Sequence, residues 1–152
     1  MLRYYKDNAR FLCHAVKENN YESILQMAFE IVQMYDIPQK SILVPAPQHT
    51  GRAIYTLALA NRIAELTGAV VKDILHCRPH DSLYYARKYN KDSSLELYTS
   101  QMIDQEKNIF FVDNVICTGK TFLAAQKALN KQIQPLVYAV NDELEMTLCK
   151  LK

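Results

Sequence analysis

Glycine is scarce in this chain, with three among 152 residues: Gly51, Gly68 and Gly119. Average usage is about 7%, and a G-x-G-x-x-G dinucleotide fingerprint cannot be built from these positions. The four cysteines, Cys13, Cys77, Cys117 and Cys149, form no C-x-x-C pair. Nothing in their spacing favours disulfides, so a reduced, cytoplasmic protein is the expectation. No run of about 18 apolar residues exists, which excludes a membrane-spanning helix. The opening MLRYYKDNAR has no apolar stretch behind its basic residues and does not read as a secretion signal. Charge of one sign is also missing: 18 Lys and Arg stand against 16 Asp and Glu, a net +2. That balance gives no global reason to expect nucleic acid or a membrane surface. What is present is an ordinary apolar content of 49% with 22% charge, which excludes a disordered chain. With no repeat, low-complexity tract or linker, residues 1–152 read as one domain able to bury roughly 70% of its unfolded surface.

Residues 1–18 are ambiguous, since RFLCHAV suits a short strand or the end of a helix. Ile24, Met27, Ala28, Ile31 and Tyr35 recur at helical spacing behind Asn20, a natural N-cap, and predict a helix over 21–35. SILVPAP (41–47) reads as a strand. A helix follows over 51–66, closed by Gly68, then a strand over 69–75. NIFFVDN (108–114) reads as a buried strand, TFLAAQKAL (121–129) as a short helix and QPLVYAV (134–140) as a last strand. The tail 141–152 is undetermined. Strands alternating with helices predict an α/β fold, a mainly parallel sheet flanked by helices, with its core over about 21–140. Between the second and third strands, residues 76–102 have no clean period. They are rich in Tyr, Asp, Ser, Asn and Lys, and a stretch of this kind reads as a functional lid.

In such sheets ligands sit at the C-terminal ends of strands, and IFFVDNVICTGKT (109–121) concentrates polar chemistry at one such end. The first N–H groups of a helix lack internal partners and carry the positive end of its dipole. Gly119 allows close approach of an anion, Thr118 and Thr121 offer hydroxyls, and Lys120 adds charge. Asp113 and Asn114 can accept hydrogen bonds from sugar hydroxyls, or from water on Mg²⁺. The combination suits a sugar phosphate, although a capped helix behind an ordinary strand explains the same residues. A second candidate turn, PAPQHTGRA, holds His49, Thr50, Gly51 and Arg52. The forked guanidinium of Arg52 suits a phosphate, while a proline-stiffened turn with Thr50 as an N-cap is the structural alternative.

IFFVDNVICTGKT resembles the phosphoribosyl pyrophosphate (PRPP) signature of type I phosphoribosyltransferases: four apolar residues, two acidic, two apolar, then a small-residue turn with Thr-Gly-x-Thr. Phe110 to Val112, Asp113, Val115, Ile116, Thr118, Gly119 and Thr121 fit it. Asn114 stands where a second acidic residue is usual, and Cys117 where Thr or Asp is usual. The resemblance implies Mg²⁺-dependent transfer of the phosphoribosyl group of PRPP to a nitrogen nucleophile, a nucleobase or amine, with release of pyrophosphate. It implies ribose contacts from Asp113 and Asn114, with Asp113 meeting the metal indirectly. It places the 5′-phosphate on Cys117, Thr118, Gly119, Lys120 and Thr121, and pyrophosphate on His49, Thr50, Gly51 and Arg52. Arg78, Tyr84, Tyr85, Arg87 and Lys88 would belong to the lid, and a homodimer is implied as well. The PAPQHTGRA and RPHDSLYYARKY stretches are also loosely similar to ComF-like homologues.

Other readings stay open. Asn114 and Cys117 leave room for a non-catalytic PRPP- or nucleotide-sensing module. The ComF likeness leaves room for a nucleic-acid-associated protein, as do interleaved aromatic and basic residues. NVICTGKT partly matches the Walker phosphate loop, with Asn114 in place of its first glycine. His76, Cys77 and His80 superficially resemble metal ligands without a matching fourth. His14, beside Cys13 in apolar sequence, reads as a core residue.

Overall fold

The computed structural model describes residues 3–82, 85, 88–89, 95–103 and 107–141. A short strand β1 (Arg3–Tyr4) leads into α1 (Asp7–Lys17) and α2 (Tyr21–Met34). Then come β2 (Ile42–Pro45), α3 (Tyr55–Thr67), β3 (Val70–Val71), β4 (Leu75–Cys77) and β5 (Leu97–Thr99). The chain continues with β6 (Ile109–Ile116), α4 (Lys120–Leu129) and β7 (Gln134–Val140). Five strands form one sheet in the order β1-β7-β6-β2-β3, and every pairing in it is parallel. β4 and β5 pair antiparallel as a separate two-stranded sheet. No helix among the described residues is long and apolar enough to cross a membrane.

Alternation along the strands builds two cores. Leu43, Phe110, Val112 and Leu136 face α1, α2 and α3, whereas Ile42, Val44, Ile109 and Phe111 face α4 and the β4–β5 unit. The connections explain this division. From β2 the chain crosses through α3 to β3 on one side; from β6 it crosses through α4 to β7 on the other. Right-handed crossovers in opposite directions require helices on opposite faces. They also make the ends of the adjacent strands β2 and β6 diverge, and that topological switch is where open α/β sheets form a crevice.

The helix over 21–35 is present as α2, with Asn20 accepting from the Ser23 N–H at 2.9 Å. Gly68 closes α3, its N–H bonded to the Ala64 carbonyl. Four expectations change. The ambiguous first segment is β1 and α1, with Leu12, Cys13 and Val16 buried. The single strand over 69–75 divides: β3 pairs with β2, and the chain turns at Lys72, whose carbonyl accepts from Ile74 N–H at 3.1 Å. β4 then leaves for the second sheet, so the 76–102 stretch holds the end of β4 and all of β5. The third helix starts at Tyr55 rather than 51, because residues 48–52 close on themselves. Gln48 N–H donates to the Arg52 carbonyl at 3.0 Å and Gly51 N–H to the Gln48 carbonyl at 2.9 Å.

Candidate functional site

A cavity of about 700 Å³ opens where β2 and β6 end. It falls at the crevice that the topology predicts. β6 supplies its floor through Asp113 to Ile116, and the turn into α4 supplies Cys117 to Thr121. All seven residues proposed for ribose and 5′-phosphate therefore meet in one place. Gly119 is the N-cap of α4 at φ 79°, a left-handed conformation that costs other residues about 1–2 kcal/mol. The first amides of a helix lack intrahelical carbonyls, and the residues that begin α4 line the cavity. Lys120 N–H leans on Thr118 Oγ1 at 3.4 Å, a distance at the weak end for a hydrogen bond.

Asp113 and Asn114 have different roles in this arrangement. Asp113 lines the cavity and is partly buried. One carboxylate oxygen accepts the Asn114 N–H at 2.8 Å. Burial pushes its carboxyl up to about 6, against the opposing pull of that N–H, of Lys17 and of Tyr55. Asn114 is 1% exposed. Its amide nitrogen donates to the Cys13 carbonyl of α1 at 3.1 Å, and its Oδ1 lies 3.5 Å from the Tyr55 hydroxyl. Asn114 thus ties β6 to α1 and α3 through its side chain.

Of the four residues in the β2 turn, His49 lines the cavity while Thr50, Gly51 and Arg52 do not. Thr50 and Arg52 are exposed. Gly51 has a different reason for being glycine. At φ 115° a Cβ there would come within 2.9 Å of the Cys77 carbonyl oxygen, and the Cys77 N–H donates to the Gly51 carbonyl at 3.0 Å. The turn is therefore fastened to β4, and His80 is brought to the cavity by its own N–H bond to the His49 carbonyl at 2.9 Å. Gln48 also lines the cavity, and its Oε1 is a buried acceptor without a protein donor among the described residues.

From the 76–102 stretch, His80, Ser82 and Leu95 reach the cavity. Arg78, Tyr85 and Lys88 are exposed and lie outside its lining. Tyr85 packs on Tyr89, and the Lys88 ammonium lies over the Tyr89 ring. Tyr84 and Arg87 fall outside the described residues. The three HCRPH side chains diverge: His76 meets Ser100 Oγ, Cys77 Sγ meets the Gln48 carbonyl, and His80 Nδ1 meets the Asp81 carbonyl. Burial raises the thiols of Cys13, to about 12, and of Cys77, so neither is a thiolate nucleophile at neutral pH.

The sequence reading missed the contribution of the first helix. Arg10, His14 and Lys17 all line the cavity and are exposed. His14 is not a core residue; its Nε2 lies 3.1 Å from the Tyr5 hydroxyl. The available signal was the i, i+4, i+7 spacing, which puts three residues on one helix face. With Lys120, the cavity lining holds three fixed cations against one carboxylate among the described residues. Such a lining attracts an anion. No protein-family model and no curated protein matches the chain.

Proposed function

We propose that this chain is a phosphoribosyltransferase-like protein of the type I kind, which binds PRPP and transfers its phosphoribosyl group to a nitrogen nucleophile. The observation that carries this reading is the β6–α4 turn. Asp113 and a left-handed Gly119 stand six residues apart in one cavity at a topological switch, with the hydroxyl residues Thr118 and Thr121 beside the glycine. The α4 amides and hydroxyls suit the 5′-phosphate, and Asp113 suits the ribose hydroxyls. His49 and His80 stand nearest the β2 turn for pyrophosphate. As the ribose C1–O bond breaks, its electron pair leaves with pyrophosphate. The nitrogen lone pair forms the new C1–N bond, and the nitrogen's proton passes to solvent. Positioning and charge stabilisation of the ribosyl cation suffice, without a protein nucleophile.

Mg²⁺ fits this donor set as the counter-ion of the substrate, because it keeps waters and substrate phosphates around one or two carboxylates and Asp113 is the carboxylate in the described lining. It would supply neutralisation of the departing pyrophosphate. Closure of the 76–102 segment as a lid, with Arg78, Tyr85 and Lys88 brought inward, would exclude water from the ribosyl cation. A cytoplasmic homodimer completes the reading.

Titration calorimetry with PRPP and Mg²⁺, alongside a pyrophosphate-release assay over purines, pyrimidines and small amines, tests it. Saturable 1:1 binding that Asp113→Asn weakens, with release in the presence of one acceptor, is the expected result. Absence of PRPP binding refutes it. The internal commitment of Asn114, which leaves Asp113 as the single acid offered to ribose, favours a second reading as a PRPP sensor. Binding without release for any acceptor would select that reading.

A further inference from the structure

The donor's requirements, on the reading above, fall on α4 and the β2 turn, yet the cavity has another polar wall. α1 packs on the face of the sheet opposite α4 and contributes Arg10, His14 and Lys17 to the same cavity. The helix is held firmly. Leu12, Cys13 and Val16 are in the core, and the Asn114 side chain grips the Cys13 carbonyl from the strand that carries Asp113.

The cations on its free face are also arranged. The Tyr5 hydroxyl meets His14 Nε2 at 3.1 Å, and Arg10 lies close enough to favour the ionised form of that hydroxyl against the burial that raises its pKa. Lys17 is close enough to Asp113 to favour its ionised form. Among the described residues, the direct salt bridges are Arg3–Glu30 and Arg62–Glu65, and neither Arg10 nor Lys17 is in one. Two fixed cations and two further hydrogen-bonding groups thus converge on a cavity whose described lining holds Asp113 as its one carboxylate, fewer than the cations facing it.

We infer that this wall binds an acid group carried by the nitrogen nucleophile, so the acceptor is an anionic amine or heterocycle rather than a neutral one. Arg10 presents a planar fork suited to a carboxylate or phosphate, with Lys17 as a point charge. The inference rests on the phosphoribosyl-transfer reading, and the two fail in different ways.

The test uses matched probes that differ by one acid group: nicotinate against nicotinamide, anthranilate against aniline, and phosphoethanolamine against ethanolamine. Each is titrated calorimetrically into the full chain with Mg²⁺ and ribose 5-phosphate, which cannot react. PRPP affinity is measured separately. The acid member of at least one carboxylate or phosphate pair should bind about tenfold tighter or more, and the pair that responds identifies the acid. Measured at about pH 8, well above the Asp113 value of about 6 so that this carboxylate is ionised, the Arg10→Gln/Lys17→Met double variant, changed at exposed positions, should erase that preference and leave PRPP affinity unaltered. Equal binding within all pairs overturns the inference, as does a preference that survives in the double variant. PRPP affinity falling together with acid-probe affinity overturns it too, because the wall would then hold the donor. If PRPP never binds but the acid preference depends on Arg10 and Lys17, the transfer reading fails and the acid site stands.

Discussion

Replacing Asp113 with asparagine should stabilise the protein and disable the site. The carboxyl ionises near 3.8 in an unfolded chain and at about 6 in the folded one, because burial disfavours its charge. Between about pH 4 and 6 the folded state keeps a proton that the unfolded state has released. Stability therefore falls as pH rises through that window, and the full penalty is present above about 6. A shift of about two units at 1.36 kcal/mol each amounts to roughly 3 kcal/mol. Asparagine keeps the oxygen that accepts the Asn114 N–H and removes the charge. At pH 7.5 the variant should be more stable by up to about 3 kcal/mol, or roughly 6–12 °C in Tm for a chain of this size. Near pH 3, below both values, the aspartate is largely neutral in both states and the difference should close. Urea denaturation of both proteins at the two pH values measures it, and PRPP titration of the same samples should show weakened binding. In the unaltered protein PRPP affinity should rise as pH passes through about 6, since ribose hydroxyls donate to the ionised carboxylate. A variant less stable at pH 7.5, or a stability difference independent of pH, would refute the reasoning.

Asn114→Asp, which restores the usual second acid, should lower stability by about 3 kcal/mol at pH 8, because a buried carboxylate would face the Cys13 carbonyl. The loss should shrink at pH 5, where a protonated carboxyl donates to that carbonyl, and chemical denaturation at both values checks this. Gly119→Ala should cost about 1–2 kcal/mol from its φ of 79° and weaken PRPP binding by more than that strain accounts for, as calorimetry would show. Thr56→Val should cost about 1–3 kcal/mol in urea melts, because its fully buried hydroxyl donates to the Ala46 carbonyl at 2.6 Å and fixes α3 to the end of β2.

Local signals exposed much of the scaffold. Periodicity and the Asn20 cap located α2, an apolar run located β6, and Gly68 marked the end of α3. Where the sequence reading failed, the deciding contact was non-local. Val70, Val71, Ile74 and Leu75 look like one apolar strand, but which residues join β2 and which join β5 depends on partners far along the chain. Gly51 looked like an anion-binding glycine, whereas the crowding beside it comes from the Cys77 carbonyl. The first helix was masked by Phe11, which is 75% exposed. An aromatic on the solvent side breaks the amphipathic pattern that Leu12, Cys13 and Val16 otherwise draw, and Arg10, His14 and Lys17 then read as scattered charge.

The departure at Asn114 links these observations. A strand alternates its side chains, so of two adjacent polar residues at the end of β6 one can face the cavity while the other faces the α1 layer. Asp113 takes the cavity and tolerates a raised carboxyl pKa. The position beside it needs a donor for the Cys13 carbonyl and an acceptor near the Tyr55 hydroxyl, and a neutral amide supplies both, whereas a carboxylate supplies one. Asparagine here adds a side-chain tie between β6 and α1, beside the core packing of Leu12, Cys13 and Val16. If α1 carries the acceptor's acid group, the residue that departs from the phosphoribosyltransferase signature also helps to seat this site's remaining wall.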